Sequence, residues 1–535
     1  MITAPRRAGV VLAVLTVALT TVAASDGEHL DAASEVTAIT RPDDPVILAG
    51  SQLGPRLLGT AVDRVVAFRW TGGAFDAVPV QVDERVEVAF SEVRRLYRAD
   101  LESVTSLLYV DQQTGATGTE FDDDPTLDPN DQVVLMARDA GQLKPAGAVP
   151  PAVRATSGLK LTIRDPLFAG SVGYLYLYAS TAAQPPVQET TGVTYDFELT
   201  GIDDYDDYGF TRPRTYDNNL ERSLVRTPSY STLFSNRWLR DELRIGPGAR
   251  PDLIDREKVL FGPGDCRRTV TTFNYTGGGA FVANKVGPVR AIRSYLGANS
   301  GIITQRDHFF YDGREQVVTN LRVHEIPGVL SLLDLAAPAR GMDYVSRTNT
   351  GVTGVETVDG RPGSRPQDNP ALDWDMFTGD QGSIIRSSRV FTDIAVPAGA
   401  EPVAGEGIRV RSYYEDDDGS DGTQPTDRCD DESAGGFPLP RDDADGDALG
   451  TSGIWIQPQP PAPPGKLEDR LPCTDPLRDV GRPGNPYPDC DRRWDLRLTT
   501  NLSYEAPGVA VTPADAQLIT DRATTALQTT VAAAS

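Results

Sequence analysis

Histidine is scarce in this chain of 535 residues, which contains three: His29, His308 and His324. His29 falls in a polar N-terminal tail, so a three-histidine metal centre is not expected, and a serine triad would have two histidines to draw on. The sequence also has no G-x-S-x-G, P-loop, G-x-G-x-x-G or H-E-x-x-H motif. The usual signatures of serine hydrolases, nucleotide-binding proteins and zinc proteases are therefore absent.

Positive charge is in short supply, since 51 Lys and Arg residues face 76 Asp and Glu residues and the formal net charge is -25. Such an acidic chain is repelled by phosphate backbones, so nucleic-acid binding would need a local basic patch and is not expected. No apolar run of about 18 residues occurs beyond the N-terminus, so no membrane span is expected either.

The first 24 residues have the organisation of an export signal. Arg6 and Arg7 precede an apolar run from Val10 to Val22, and small residues allow cleavage after Ala24. We therefore expect residues 1–24 to be removed and the protein to be secreted and extracellular. The loss of two arginines would bring the mature charge to about -27.

The chain has four cysteines, Cys266, Cys429, Cys473 and Cys490. An even number in a secreted protein indicates two disulfides, with three possible connectivities. Cys473 and Cys490 enclose a segment rich in proline and glycine, which a bridge would hold together, so pairing 473–490 with 266–429 is favoured. The cysteines show no C-x-x-C spacing and have no histidine close to them in the sequence, so a metal site is not favoured.

Strand patterns predict a mainly β fold with two antiparallel β domains. The N-terminal domain is expected to be sandwich-like, and the larger one super-sandwich-like with a loop-rich insertion. The proposed organisation, after the signal peptide, is a flexible tail at 25–40, the N-terminal β domain at 41–188, the larger β domain at 189–414, an acidic and proline-rich disulfide-tied insertion at 415–493, a returning strand at 494–512, and a helix or tail at 513–535.

A predicted meander of three strands in the larger domain carries the best candidate site. Because side chains alternate along a strand, Arg293 and Tyr295 share a face of the first strand, and Arg306 and His308 share a face of the second. On the third strand the shared face holds Gln316, Asn320, Arg322 and His324. If these faces coincide, Arg293, Arg306 and Arg322 would bind an anionic substrate, and His308, His324 and Tyr295 would move protons.

The alternative for the meander is a solvated sheet face with cross-strand ion pairs to Asp307, Glu315 and Glu325. Trp374 is a further candidate, since an exposed Trp beside a carboxylate can hold a sugar ring, although a buried core position is the commoner fate of Trp.

Clustered aspartates leave a calcium site open. Asp443, Asp445 and Asp447 have the early ligand spacing of an EF-hand loop but lack its glycine and final glutamate. They predict either loose Ca²⁺ binding or a merely solvated acidic loop, and no other cofactor is expected.

The residues Gly287, Pro288, Val289 and Arg290, with the His- and Arg-bearing strands after them, resemble the "GPVR" strand and hairpins of the galactose-mutarotase-like super-sandwich fold. Several carbohydrate-active enzymes, including polysaccharide lyases, have this fold. The resemblance covers residues 287–326 and implies ligand binding on a concave sheet face. The stretch from Val78 to Glu84 also resembles a motif of uncharacterised secreted bacterial proteins, which implies no activity.

Two functions follow as hypotheses. The first is a secreted carbohydrate-active protein, either a polysaccharide lyase or a glycoside hydrolase, with a polysaccharide or surface glycan as its partner. The second is a non-catalytic, calcium-stabilised β-sandwich protein that binds glycans or other proteins at the cell surface. The sequence leaves the oligomeric state open.

Overall fold

Antiparallel strands dominate the fold, which confirms the predicted mainly β class with sandwich-like sheets. The computed structural model describes residues 39–89, 105–111, 125–183, 190–198, 221–235, 240–261, 270–271, 279–297, 304–321, 329–347, 356–360, 367–368, 374–392, 408–416, 449–458 and 496–534. Short 3-10 helices among them span Gly50–Gln52, Gly54–Arg56, Val62–Arg64, Ala137–Asp139, Ala155–Ser157 and Ala337–Ala339.

The N-terminal region contains nine described strands. They are β1 (Pro45–Ala49), β2 (Val65–Trp70), β3 (Phe75–Val78), β4 (Gln81–Asp83), β5 (Arg85–Ala89), β6 (Thr105–Tyr109), β7 (Gln132–Met136), β8 (Leu159–Arg164) and β9 (Val172–Ala179). One sheet has the order β1-β7-β4, and strands β5 and β6 form a separate hairpin. Apolar residues alternate along β8, so that Leu159, Leu161 and Ile163 point into a core shared with the first sheet.

The larger region continues with nineteen described strands. The first ten are β10 (Thr194–Asp196), β11 (Ser223–Arg226), β12 (Tyr230–Phe234), β13 (Arg240–Ile245), β14 (Ile254–Phe261), β15 (Val270–Thr271), β16 (Gly279–Val286), β17 (Ala291–Gly297), β18 (Thr304–Phe310) and β19 (Arg314–Leu321). The others are β20 (Val329–Leu335), β21 (Asp343–Ser346), β22 (Glu356–Thr357), β23 (Gln367–Asp368), β24 (Trp374–Gly379), β25 (Gly382–Thr392), β26 (Ile408–Asp416), β27 (Gly450–Pro458) and β28 (Leu496–Glu505).

These strands form two large sheets. One has the order β10-β11-β12-β13-β14-β20-β27-β26-β23, with β15 added to β14, and the other has the order β16-β17-β18-β19-β28-β25-β24-β21-β22. An apolar cluster that includes Leu243, Leu333, Phe377, Ile384 and Tyr414 joins strands of the two sheets. The larger region is therefore a two-layer sandwich.

Strand β27 lies inside the stretch predicted to be a loop-rich insertion. It pairs with β20 on one side and β26 on the other, and Ser452 and Ile454 are buried. The prediction for 415–493 is wrong at this strand, because the acidic and proline-rich composition around it obscured a short apolar run. Most of that stretch lies outside the described residues.

The C-terminal segment contributes a helix and a strand. Helix α1 (Pro513–Thr524) is capped at its N-terminus by Thr512, whose side chain accepts a hydrogen bond from the Asp515 backbone N–H, and the Asp515 side chain completes a capping box. Strand β29 (Gln528–Ala533) follows and pairs with β8, completing a five-stranded sheet of order β29-β8-β9-β2-β3. The prediction of a helix or tail for 513–535 therefore misses this strand.

Residues Thr37–Ser535 form one compact unit. The proposed boundary between 188 and 189 is bridged by a buried network. Gln81 Oε1 accepts hydrogen bonds from the backbone N–H groups of Val289 and Arg290 at 3.0 and 2.9 Å. Arg290 also pairs with Asp83 at 2.7 Å. The two short motifs noted in the sequence, one around Gln81 and one at Gly287 to Arg290, thus bind each other.

Candidate functional site

The register of the meander brings the first two strands together as expected. Arg293 lies opposite His308 and Tyr295 lies opposite Arg306, so all four side chains share one face of the sheet. The third strand differs, because His308 lies opposite Val317. Gln316 and Asn320 therefore stand on the other face, so the expected coincidence is wrong for them. Arg322 and His324 lie outside the described residues.

The shared face is the inner face of the sandwich. Arg293 and Tyr295 are fully buried, and Arg306 and His308 are 3% and 2% exposed. This placement corrects the expectation of an open, substrate-binding sheet face. Charged side chains need partners at such depth, because burying an unpaired charge is very costly.

Arg293 obtains its partner from Glu221. The guanidinium meets the carboxylate at two points, 2.8 Å from Nε to Oε1 and 2.5 Å from Nη2 to Oε2. Both side chains are fully enclosed. The rings of Phe234 and Tyr295 lie 4.2 and 4.5 Å from the guanidinium carbon, which adds cation–π attraction in a desolvated setting.

A second group of pairs surrounds Arg306. Its guanidinium binds Glu257 of β14, and Arg240 of β13 contacts the same carboxylate with 3.0 Å between Nε and Oε2. Arg240 also binds Glu315, and its Nη1 donates to the Tyr504 hydroxyl at 2.8 Å. Although burial alone would raise it, the pKa of Glu257 is held below its ordinary value by Arg240 and Arg306.

His308 is held between aromatic rings beside Glu315. Its Nδ1 lies 2.7 Å from the Glu315 carboxylate, and the rings of Tyr295 and Phe310 stack at 6.1 and 5.9 Å. Burial, with Arg306 and Arg293 nearby, lowers the pKa of His308 well below 6.5. The imidazole is therefore neutral at pH 7, and we infer that Nδ1 carries the proton donated to Glu315.

We call this set the ionic layer: Glu221, Arg240, Glu257, Arg293, Arg306, His308, Glu315 and Tyr504. The cations and carboxylates of the layer neutralise one another. Of its members, Glu315 was anticipated as an ion-pair partner within the meander, whereas Glu221, Arg240, Glu257 and Tyr504 were missed. Arg240 of β13 and Glu257 of β14 lie opposite each other and so share one face of their sheet. Their partners on the other sheet are selected by the packing of the two sheets, which joins segments far apart in the chain.

Trp374 lies on the opposite face of its sheet, beneath helix α1. The ring is 2% exposed, packs in an apolar cluster with Ala516, and donates from Nε1 to Gln517 Oε1 at 3.0 Å. The expectation of an exposed, sugar-stacking ring is therefore wrong, because the helix covers it.

The proposed metal ligands Asp443, Asp445 and Asp447 lie outside the described residues, as do the four cysteines Cys266, Cys429, Cys473 and Cys490. The calcium site and the two disulfides stay predictions. Within the described ranges, no group of three or more His, Cys, Asp or Glu side chains could hold a metal ion.

A polar groove of about 220 Å³ opens where the start of the described chain meets the larger sandwich and helix α1. Its lining includes Asp43, Asp312, Arg314 and Glu505. Burial, followed by the nearby Asp43 and Asp515, raises the pKa of Glu505 above its ordinary value. Among the described residues, no side chain or backbone N–H donates to this carboxyl group. The groove thus contains a carboxyl group that holds its proton more tightly than usual.

No protein-family model matches this chain, and no curated protein matches it significantly. Among the described residues, no helix is both long and apolar enough to cross a membrane.

Proposed function

We propose that this chain is a secreted, non-catalytic β-sandwich protein that binds glycans. The observation that carries the proposal is the ionic layer, in which Arg293, Arg306 and His308 are enclosed and paired with the protein's own carboxylates. A lyase acting on uronates would need an arginine free to neutralise the substrate carboxylate and a base within reach of the adjacent C–H group. In this layer the arginines are paired with the protein's own carboxylates, and His308 is enclosed at 2% exposure, so neither kind of group is open to a substrate.

The other parts of the proposal come from the sequence. The export signal at 1–24 supports secretion, and the resemblance of residues 287–326 to carbohydrate-active proteins supports a glycan as ligand. The prediction of calcium binding rests on Asp443, Asp445 and Asp447, and melting curves with calcium and then a chelator test it.

The test combines binding and turnover on the same panel of polysaccharides. We expect the mature chain to co-sediment with, or to be retarded by, at least one of them. We expect no release of unsaturated or reducing sugar. Product release by the wild-type chain would overturn the non-catalytic assignment, and failure to bind any polysaccharide would overturn the glycan assignment.

A glycoside hydrolase remains the second candidate, because the polar groove holds Glu505. A carboxyl group with a raised pKa suits a general acid, and Asp43, the nearby carboxylate in the same groove, is its candidate partner. If this candidate is correct, reducing sugar is released by wild type and lost in Glu505→Gln. The exposed Glu198→Gln is the matched control, which should retain full activity.

A further inference from the structure

The segment from Gly141 to Arg164 reverses the charge of the rest of the chain. It has no Asp or Glu, and it contains Lys144, Arg154, Lys160 and Arg164, although acidic residues greatly outnumber basic ones overall. Two of the five lysines fall within it. In a chain with a formal charge of -25, this is a concentrated positive region.

Strand pairing places much of this charge on one sheet face. In the five-stranded sheet β29-β8-β9-β2-β3, Leu159, Leu161 and Ile163 point into the core, so Lys160, Thr162 and Arg164 point outward. Their cross-strand neighbours on the same side are Ala532, Thr530 and Gln528 of β29 and Tyr176, Tyr174 and Val172 of β9. We call this surface the outer face.

No Asp or Glu occupies the outer face in the described strands. Its remaining positions there are Val66, Phe68, Trp70, Phe75, Ala77 and Tyr178. Val66, Phe68 and Tyr178 are buried with Tyr176 in an apolar cluster, so the accessible part of the face lies around Lys160, Thr162, Arg164 and Tyr174. Arg164 is exposed and Lys160 is partly exposed, and neither forms an ion pair with a described residue. This differs from the ionic layer, where the protein supplies a carboxylate for each arginine.

Lys144 adds a third cation above the same rings. The segment that follows β7 crosses the sheet, and the Lys144 backbone N–H donates to the Tyr176 hydroxyl at 2.8 Å. Its Nζ lies 5.9 Å from the Tyr176 ring centre, and Lys160 Nζ lies 5.9 Å from the Tyr174 ring centre. Burial, followed by repulsion from the neighbouring Lys160, lowers the pKa of Lys144.

We propose that the outer face, centred on Lys160, Thr162, Arg164 and Tyr174, binds an acidic polysaccharide through its uronate carboxylates. This inference rests on the proposed glycan-binding function and names the ligand class and the site. Arg164 offers a planar fork for a carboxylate. The hydroxyls of Thr162, Thr530 and Tyr174 offer donors and acceptors to sugar hydroxyls, and the Tyr174 ring offers an apolar surface.

A uronate polymer fits this surface better than a nucleic acid. DNA carries one charge per about 1.7 Å of its axis, and its binding requires many cation–phosphate contacts to overcome repulsion. The outer face supplies few accessible cations within an acidic molecule, which suits a ligand with charges spaced one per sugar and many hydroxyl groups.

The test uses the full mature chain and three probes: polygalacturonate, neutral galactan and poly-dT. The variant Lys160→Gln/Arg164→Gln removes two charges from outward positions and should leave the melting temperature unchanged. We expect wild type to bind polygalacturonate in preference to the other probes. The double variant should bind at least about fivefold more weakly, the effect of losing roughly one favourable surface contact.

The control is Arg222→Gln, which removes an exposed arginine outside this face and should leave affinity unchanged. Equal binding of polygalacturonate by the double variant and wild type would place the site elsewhere and overturn this inference, while leaving the proposed function standing. If wild type bound galactan as tightly as polygalacturonate, the proposed role of the uronate charge would be overturned. If wild type preferred poly-dT to polygalacturonate, the proposed ligand class would be overturned. Absence of binding to every polysaccharide would overturn both this inference and the proposed function.

Discussion

At the scale of single residues, the ionic layer shows how a β-sandwich can bury arginine. Arg293 is enclosed by two aromatic rings and bound at both ends of the Glu221 carboxylate. Such a pair adds little net stability compared with apolar packing, but removing one partner leaves an uncompensated buried charge. The arginines predicted to bind substrate are therefore expected to matter for folding first.

Glu221→Gln should lower the free energy of unfolding by about 3 kcal/mol, because Arg293 would lose its counter-charge in the interior. Denaturant unfolding monitored by fluorescence measures this loss. The matched control is Asp196→Asn, which breaks the pair with Arg226 at 2.7 Å, where both side chains are more than half exposed. That change should cost less than about 1 kcal/mol. Comparable losses in the two variants would contradict the structural role of the ionic layer.

Asp252 should make stability depend on pH in the direction opposite to that of an ordinary ion pair. Burial raises its pKa from 3.8 to about 6, against the lowering effect of hydrogen bonds from the backbone N–H groups of Leu243 and Ile254. The folded state therefore binds this proton more tightly than the unfolded chain, and its contribution to stability declines as pH rises from 3.8 to about 6.

Asp252→Asn retains a side-chain oxygen for those backbone groups and removes the titration. We expect the variant to gain stability relative to wild type as pH rises through this window, with little difference at the acidic end. Denaturant midpoints across the window provide the measurement. A constant difference between the two proteins at all pH values would show that Asp252 does not titrate there.

At the scale of elements, the strands were largely predictable and their partners were not. Strands β18 and β19 pair antiparallel, as the predicted meander requires, yet His308 lies opposite Val317, so the third strand presents its odd-numbered positions to the shared face. A shift of one residue exchanges the two faces of a strand. Sequence alternation identifies same-face residues within one strand but does not fix the register between strands.

Burial of the candidate site was not predicted either, because it also depends on contacts between strands that are distant in the chain. The sequence indicated which of Arg293, Tyr295, Arg306 and His308 share a face, and the register confirms that grouping. The sequence did not indicate that a second sheet, which carries Arg240 and Glu257, covers that face. Such contacts join strands far apart in the chain, and no local periodicity encodes them.

Strand β29 provides a direct test at this scale. Val531 faces the core beside Leu161, whereas its neighbour Ala532 is exposed on the outer face. Val531→Asp should therefore lower stability by about 2 kcal/mol through burial of a charge, and Ala532→Asp should have a much smaller effect. Thermal melts of the two variants compare them. Equal effects would mean that β29 does not dock with the assigned face inward.

At the scale of the whole molecule, negative charge opposes compaction. A formal charge of -25 makes the folded chain repel itself, and added salt screens exposed charges more than buried pairs. Raising NaCl from low to high concentration should increase the melting temperature by about a few degrees at pH 7. The increase should vanish near pH 4.6, where the net charge is close to zero. A lower melting temperature in salt would show that surface ion pairs outweigh the repulsion.

Strand β29 also has a consequence for the order in which the molecule is assembled. The five-stranded sheet near the start of the fold is completed by Gln528–Ala533, which pairs with Leu159–Arg164. Ribosomal synthesis delivers these two partners at widely separated times, and contacts between distant segments form slowly. Until the late partner arrives, β8 has an open edge, so the N-terminal sandwich stays incomplete while the rest of the chain is made.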